Sequence, residues 1–236
     1  MNKGKIYLIP NMISDSDIDT AIPRDVISVV QGIHHFIVED VRTARRYLRK
    51  IGYLQNFDTE VEFFILNKHT DLMEIIGFLA PALASKDMGL ISESGVPCVA
   101  DPGNLIVELA HQYDIQVVPL VGPSSIILSL MASGFNGQNF AFVGYLPIDD
   151  KEKSRKLKDL ENKILHEDQT QIFIETPYRN QKLFQFITKV CSEKTMLCVA
   201  CNINASDEFI KSKSIENWKK SKLDINKKNT IFLLYK

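Results

Sequence analysis

The stretch Ile91-Ser-Glu-Ser-Gly-Val-Pro-Cys-Val-Ala-Asp-Pro-Gly103 decides how this chain is read. It follows a short apolar run, Met88–Ile91, and leads into Gly103–Tyr113, where Leu105, Val107, Leu109 and Ala110 keep helical spacing. Strand, loop and helix in that order put the loop at a strand's carboxyl end, where open α/β sheets take their ligands. Gly95 and Gly103 permit close backbone approach or positive φ, and Pro97 and Pro102 stiffen the chain around them. Two glycines and two prolines within nine residues exceed what a tight connection requires. The loop is therefore expected to read a small ligand through backbone groups.

Val118-Pro-Leu-Val-Gly-Pro-Ser-Ser125 repeats the arrangement: an apolar strand, Ile115–Val121, exits into Gly-Pro and two serines open a helix, Ser124–Ser133. Ser124 and Ser125 either cap that helix or present hydroxyls and free first-turn amides to a polar ligand end. Neither loop is a phosphate cradle of the G-x-x-x-x-G-K-[ST] or G-x-G-x-x-G kind, which speaks against a nucleotide hydrolase or a Rossmann dehydrogenase.

Outward from these loops, strand and helix patterns alternate. Lys5–Pro10, His34–Val38 and Met88–Ile91 read as strands, and Ile18–Val30, Arg42–Lys50 and Asp71–Leu83 as helices, the last ended or bent by Pro81. That alternation predicts a mostly parallel sheet in the first half. In the second half, Phe140–Tyr145, Thr170–Glu175, Thr195–Cys201 and Thr230–Tyr235 read as strands, and Lys151–Leu165 and Tyr178–Val190 as helices. The Pro119/Gly122-Pro123 cluster is the expected hinge, giving α/β domains over residues 1–118 and 119–236.

Across 236 residues, 28 basic and 29 acidic side chains nearly cancel, but not uniformly. Residues 1–118 carry ten basic and sixteen acidic groups, residues 119–236 eighteen and thirteen. A polyanion-binding surface over the whole chain is thus disfavoured, whereas a basic face from the second half is not. With 45% hydrophobic residues and no apolar run near the roughly 20 needed to span a bilayer, a globular cytoplasmic protein is expected. Cys198 and Cys201 form a lone C-x-x-C, but on a strand residues three apart face opposite sides, so no metal or redox site is expected.

The ordered set IYLIP, VEDVR, ISESGVPCVADPG, VVPLVGPSS, FVGYLP and FIETPYR resembles the tetrapyrrole methylase superfamily over essentially the whole chain. Within it the 91–103 motif is most similar to the branch that methylates a cytidine ribose 2′-hydroxyl in ribosomal small-subunit RNA. The resemblance implies two α/β domains with S-adenosylmethionine in the cleft between them, a homodimer, and RNA as the acceptor. It also implies cofactor contacts from Pro10, Ser92, Gly95, Val96, Pro97, Ser124, Ser125, Leu146, Pro147 and Tyr178. Arg42, His69 and Arg179 fall on the substrate side.

An already activated sulfonium methyl needs alignment and exclusion of water rather than a metal or a nucleophilic triad. A ribose hydroxyl needs a proton acceptor nearby, and Glu39, Asp40 and Glu93 are the carboxylates at strand ends. For any one of them the more ordinary role is a helix N-terminal charge or an ion-pair partner. The chain departs from the family pattern in its first loop, Pro10-Asn-Met-Ile-Ser-Asp-Ser16, which lacks a second proline and a glycine; at Glu93 and Val96, where the family has aspartate and threonine; in Ala200–Ala205, which lacks an arginine, a glutamate and a lysine; and in Lys227-Lys-Asn229, which replaces K-G-E. Two other functions remain open: methylation of a tetrapyrrole or other small molecule, and a non-catalytic relative that binds cofactor or RNA.

Overall fold

A computed structural model describes residues 2–67 and 70–236. Two units each build a five-stranded sheet, one unit ending at Ser124 and the other running from Ser125 to Lys236. The first contains β1 (Lys5–Ile9), α1 (Ile18–Ala21), α2 (Arg24–Gln31), β2 (His35–Val38), α3 (Val41–Lys50), β3 (Glu62–Ile65), α4 (Leu72–Phe78), α5 (Ala80–Leu83), β4 (Met88–Ile91), α6 (Asn104–Gln112) and β5 (Gln116–Pro119). Its sheet runs β3-β2-β4-β1-β5 with every pair parallel.

Period-two alternation along the strands sorts the side chains between two cores. Ile6, Ile37 and Leu90 pack with Phe78, Ala82, Ile106 and Leu109 from α4–α6. Ile9, Phe36, Val38 and Ile91 pack with Val26 and Val30 of α2 and Ala44 and Leu48 of α3. The chain leaving β1 therefore crosses to one face of the sheet and the chain leaving neighbouring β4 to the other. The carboxyl ends of β1 and β4 flank the point where the winding reverses, which is where a doubly wound sheet opens a ligand crevice.

The second unit contains α7 (Ser125–Ser133), β6 (Phe140–Tyr145), α8 (Asp150–Glu167), β7 (Thr170–Ile174), α9 (Asn180–Val190), β8 (Met196–Cys201), β9 (Phe209–Ser214), α10 (Ile215–Lys219) and β10 (Thr230–Tyr235). Its sheet is mixed, β6-β7-β10-β8-β9, with only β6 and β7 parallel. Leu157, Leu160 and Ile164 of α8 and Leu183, Phe184 and Ile187 of α9 pack on Phe173, Val199 and Phe232. Helical spacing puts each helical triplet on one face, so one stripe of each helix is buried.

Two expected helices divide, and three elements are additional. Ile18–Val30 is two helices, because Pro23 lacks the amide a continuous helix would need and sits as the N-cap of α2. Asp71–Leu83 is also two, and Pro81 lies in the first turn of α5 rather than at a helix end. β3 and the β9–α10 pair were not expected at all. Glu62–Ile65 is a four-residue edge strand, and Phe-Ile-Lys-Ser-Lys-Ser in β9 is too polar to stand out as apolar alternation. Lysines on an edge strand also discourage pairing with a second sheet.

Cys198 and Cys201 are buried free thiols on β8. Cys201 belongs to the core under α8 and α9 and Cys198 does not, as opposite strand faces require. Burial raises both thiols above their ordinary range. Among the described residues no group of three or more His, Cys, Asp or Glu could hold a metal ion, and no helix is long and apolar enough to cross a membrane.

Candidate functional site

Three loops meet at the carboxyl edge of the first sheet, after β1, β4 and β5, which are neighbours in the order β4-β1-β5. The decisive contact is a two-residue antiparallel bridge. Asn11 N–H donates to the Gly95 carbonyl (2.9 Å) and Gly95 N–H returns to the Asn11 carbonyl (3.2 Å). The buried Asn11 side chain then donates from Nδ2 to the carbonyls of Ser92 (2.9 Å) and Glu93 (3.3 Å), while its oxygen accepts from Met12 N–H (2.7 Å). One asparagine thus ties the loop after β1 to the loop after β4 at four points.

Gly95 sits at φ +71°, a region most L-residues avoid. A Cβ built there would lie 3.1 Å from the Pro123 carbonyl oxygen and 3.2 Å from Ile13 Cγ2, so loops from all three strands crowd this glycine. Pro10 is held from two sides: its carbonyl accepts from the buried Tyr47 hydroxyl (2.7 Å), and its ring abuts Gly122. Burial raises the Tyr47 phenol well above its ordinary range, so it stays a donor.

The rest of the 91–103 loop is set by its own side chains. Ser92 Oγ accepts from Ser94 N–H (3.3 Å) and donates to the Ser94 carbonyl (3.1 Å). Asp101 Oδ1 accepts from Cys98 N–H and Gly103 N–H, each at 2.8 Å, closing a turn in which Cys98 and Ala100 both have positive φ. Burial, then the Asp101 charge, pushes the Cys98 thiol up to about 11, so it is not a thiolate nucleophile near neutrality.

Pro10, Ser92, Gly95 and Pro97 are buried in this junction and Val96 is half-buried. Glu93 is exposed at the rim. Glu39, half-buried at the end of β2, lines a narrow pocket with Asp101, Pro102 and Gly103. Asp40 caps α3: its Oδ1 accepts from Thr43 N–H (2.7 Å) and the Thr43 hydroxyl (3.0 Å). Those bonds, the amide's first, hold its carboxyl below the usual carboxylate range. Arg42 is exposed in the first turn of the same helix. His69 lies outside the described residues. Ser124 ends the first unit and Ser125 opens α7.

In the second unit Glu175 and Arg179 of the ETPYR stretch line a groove with Ile148, Asp150, Lys182 and Phe186. Glu175 is nearly enclosed. Its Oε1 accepts from Arg179 Nη2 (2.6 Å), Arg179 Nε (3.0 Å) and Thr176 N–H (2.7 Å), locking the turn that leads into α9. Tyr178, between them, is 74% exposed. Leu146 packs its side chain in the core of this unit, so what it can offer a ligand is its backbone, and Pro147 is half-buried.

Asn11, Asp101 and Gly122 were not singled out from sequence as site residues, and Lys182 was not either. A side-chain amide directly after a strand-ending proline was the available signal for Asn11. Its partners, about 80 positions away, carried none.

Asn11→Leu keeps the side-chain volume and removes the donors, leaving the Ser92 and Glu93 carbonyls without them. Chemical denaturation is expected to show a loss of about 1–3 kcal/mol. A wild-type midpoint would show that this clamp contributes nothing.

No protein-family model matches the chain. It is similar to the ribosomal RNA small subunit methyltransferase I of Vibrio cholerae, with 30% identity over 205 residues, 87% of this chain and 67% of that protein. It is also similar to the protein of the same name from Escherichia coli O157:H7, with 27% identity over 209 residues, 89% and 68% of the two chains. In fold it is similar to the crystal structure of the methyltransferase CobJ, with TM-score 0.64 and 13% identity over 98% of this chain and 94% of that one. The cobalt precorrin-4 methyltransferase CbiF superposes with TM-score 0.60 and 15% identity over the same shares.

Proposed function

Since the chain belongs to the ribosomal RNA small subunit methyltransferase I family, whose members take their methyl group from S-adenosylmethionine, we propose that it methylates a ribose hydroxyl of ribosomal RNA. The observation that carries the RNA reading is the groove of the second unit. Lys182 lines it without an ion pair among the described residues, alongside Arg179 and Lys153, which pair with Glu175 and Asp150, so the groove presents cations for phosphates. The excess of basic residues after position 118 points the same way.

The residues of the first unit suit the cofactor. Its corner is built from backbone, with Gly95 leaving the room a Cβ would take and the Ser92 turn supplying polar groups. On this reading Pro10, Ser92, Gly95, Val96, Pro97, Ser124, Ser125, Leu146, Pro147 and Tyr178 contact it. When bound, the cofactor supplies an electrophilic methyl on sulfur.

The chain's own task is to align the acceptor hydroxyl, exclude water and take up the hydroxyl proton. Asp40, committed to Thr43 and held ionised, is poorly matched to that proton. Glu39, half-buried at a strand end, is the better-placed acceptor, with Glu93 at the rim as the alternative. Arg42 and Arg179 would face the RNA. The protein would work in the cytoplasm as a homodimer.

The test is incubation of the purified protein with small ribosomal subunits and radiolabelled S-adenosylmethionine, followed by nucleoside analysis of the RNA. A labelled 2′-O-methylnucleoside is expected, and its yield should fall at least about tenfold in Glu39→Gln. Cofactor binding without any label in RNA would reject the RNA substrate and favour a small-molecule acceptor.

A further inference from the structure

A cavity of about 620 Å³ lies in the second unit, and none of the GYLP or ETPYR residues lines it. It opens between α8, the turn joining α9 to β8, and the end of β10. Ile164, Leu165 and Tyr235 provide apolar surface; Lys158, Lys194 and Lys236 stand around it. Volumes of about 300–1,000 Å³ are typical of sites for small organic ligands.

Internal hydrogen bonds define its walls. Glu161 Oε1 accepts from Ser192 N–H (2.8 Å) and the Thr195 hydroxyl (2.5 Å), tying α8 to the α9–β8 turn and directing the one lining carboxylate into the wall. At the other end, Asp168 caps α8 in a left-handed conformation, and its Oδ1 accepts from the Tyr235 hydroxyl (2.7 Å) and pairs with Lys236 Nζ (2.6 Å). Both acidic groups at the site are thus engaged. Lys158 and Lys194 form no ion pair among the described residues and are exposed. Leu165, though apolar, is 66% exposed beside them.

We propose that this cavity binds an amphipathic organic anion, with its apolar or aromatic body on Ile164, Leu165 and Tyr235 and its carboxylate, sulfonate or phosphate between Lys158 and Lys194. Apolar surface alone would take a neutral molecule, and lysines alone would take any diffuse anion. Two unpaired ammonium groups bordering an apolar floor select a molecule that carries both features. The site is separate from the groove assigned to RNA and does not depend on that assignment.

The experiment is a fluorescence titration of the full chain with 1-anilinonaphthalene-8-sulfonate, which has a planar apolar body and a single sulfonate. Saturable enhancement with one site is expected, weakened at least roughly tenfold in Lys158→Glu/Lys194→Glu and in Leu165→Asp. All three side chains are exposed, so circular dichroism should show the fold retained. Saturating S-adenosylmethionine should leave the dye's affinity unchanged. Absence of saturable binding, equal affinity in the wild type and the double variant, or displacement by S-adenosylmethionine would each overturn the proposal.

Discussion

Gly122→Ala is expected to weaken S-adenosylmethionine binding at least about a hundredfold while leaving far-ultraviolet circular dichroism near that of the wild type. A Cβ at position 122 would lie 2.1 Å from Pro10 Cβ and 2.3 Å from Pro10 Cγ. Carbon atoms pack at about 3.5–4.0 Å, so the loops after β1 and β5 must separate by more than about an ångström. Neither is free to do so locally. Leu120 N–H donates to the Leu8 carbonyl (3.1 Å) just before the contact, and Tyr47 holds the Pro10 carbonyl. Asn11, the next residue, is bonded to the 92–95 segment. Displacing Pro10 therefore also moves the strap around Gly95, and the three loops lose their common geometry. The sheet is held by pairing along β1, β4 and β5 and should survive. Isothermal titration calorimetry measures the affinity; a wild-type value in a folded variant would move the cofactor away from these loops.

The largest stability effect is expected in the second unit. Trp218→Ala should cost about 3–5 kcal/mol, the range for removing a large aromatic side chain from a packed core. Trp218 is 2% exposed, meets Phe184 edge-on with ring centroids 5.3 Å apart, and donates from Nε1 to the Leu197 carbonyl (2.8 Å). Lys213 Nζ lies 4.8 Å from its ring centroid. Alanine would leave a cavity where α10, α9 and β8 meet and remove the donor from a buried carbonyl. Because Trp218 is the chain's single tryptophan, urea unfolding is best followed by circular dichroism. A midpoint shift worth less than about 1 kcal/mol would mean that this corner repacks freely.

This position also shows where sequence reading stopped. Trp218 stood out only as an aromatic among late lysines, yet it anchors a helix the sequence did not announce. Ile215–Lys219 has five residues, too few for periodicity to register, and β9 before it, Phe-Ile-Lys-Ser-Lys-Ser, carries no apolar alternation. Both elements persist because β8 offers an edge to pair with and Phe184 offers a surface to pack on. Pro23 and Pro81 mark a milder limit: apolar spacing ran through both prolines, but the missing amide of one ended a helix and the other opened one.

What the sequence determined by itself was local: period-two and period-3.6 patterns placed most strands and helices, and Gly-Pro punctuation placed the loops at strand ends. Those loops, with their order along the chain, sufficed to identify the methyltransferase family. Tertiary structure alone decided which loop residues meet. Asn11 reaches Ser92 and Glu93, Gly122 admits Pro10, and β10, the last strand, enters its sheet between β7 and β8. The reason is physical. A propensity or a period is a property of neighbouring residues, whereas a buried hydrogen bond or a close packing contact has no energy until the rest of the fold brings its two halves together.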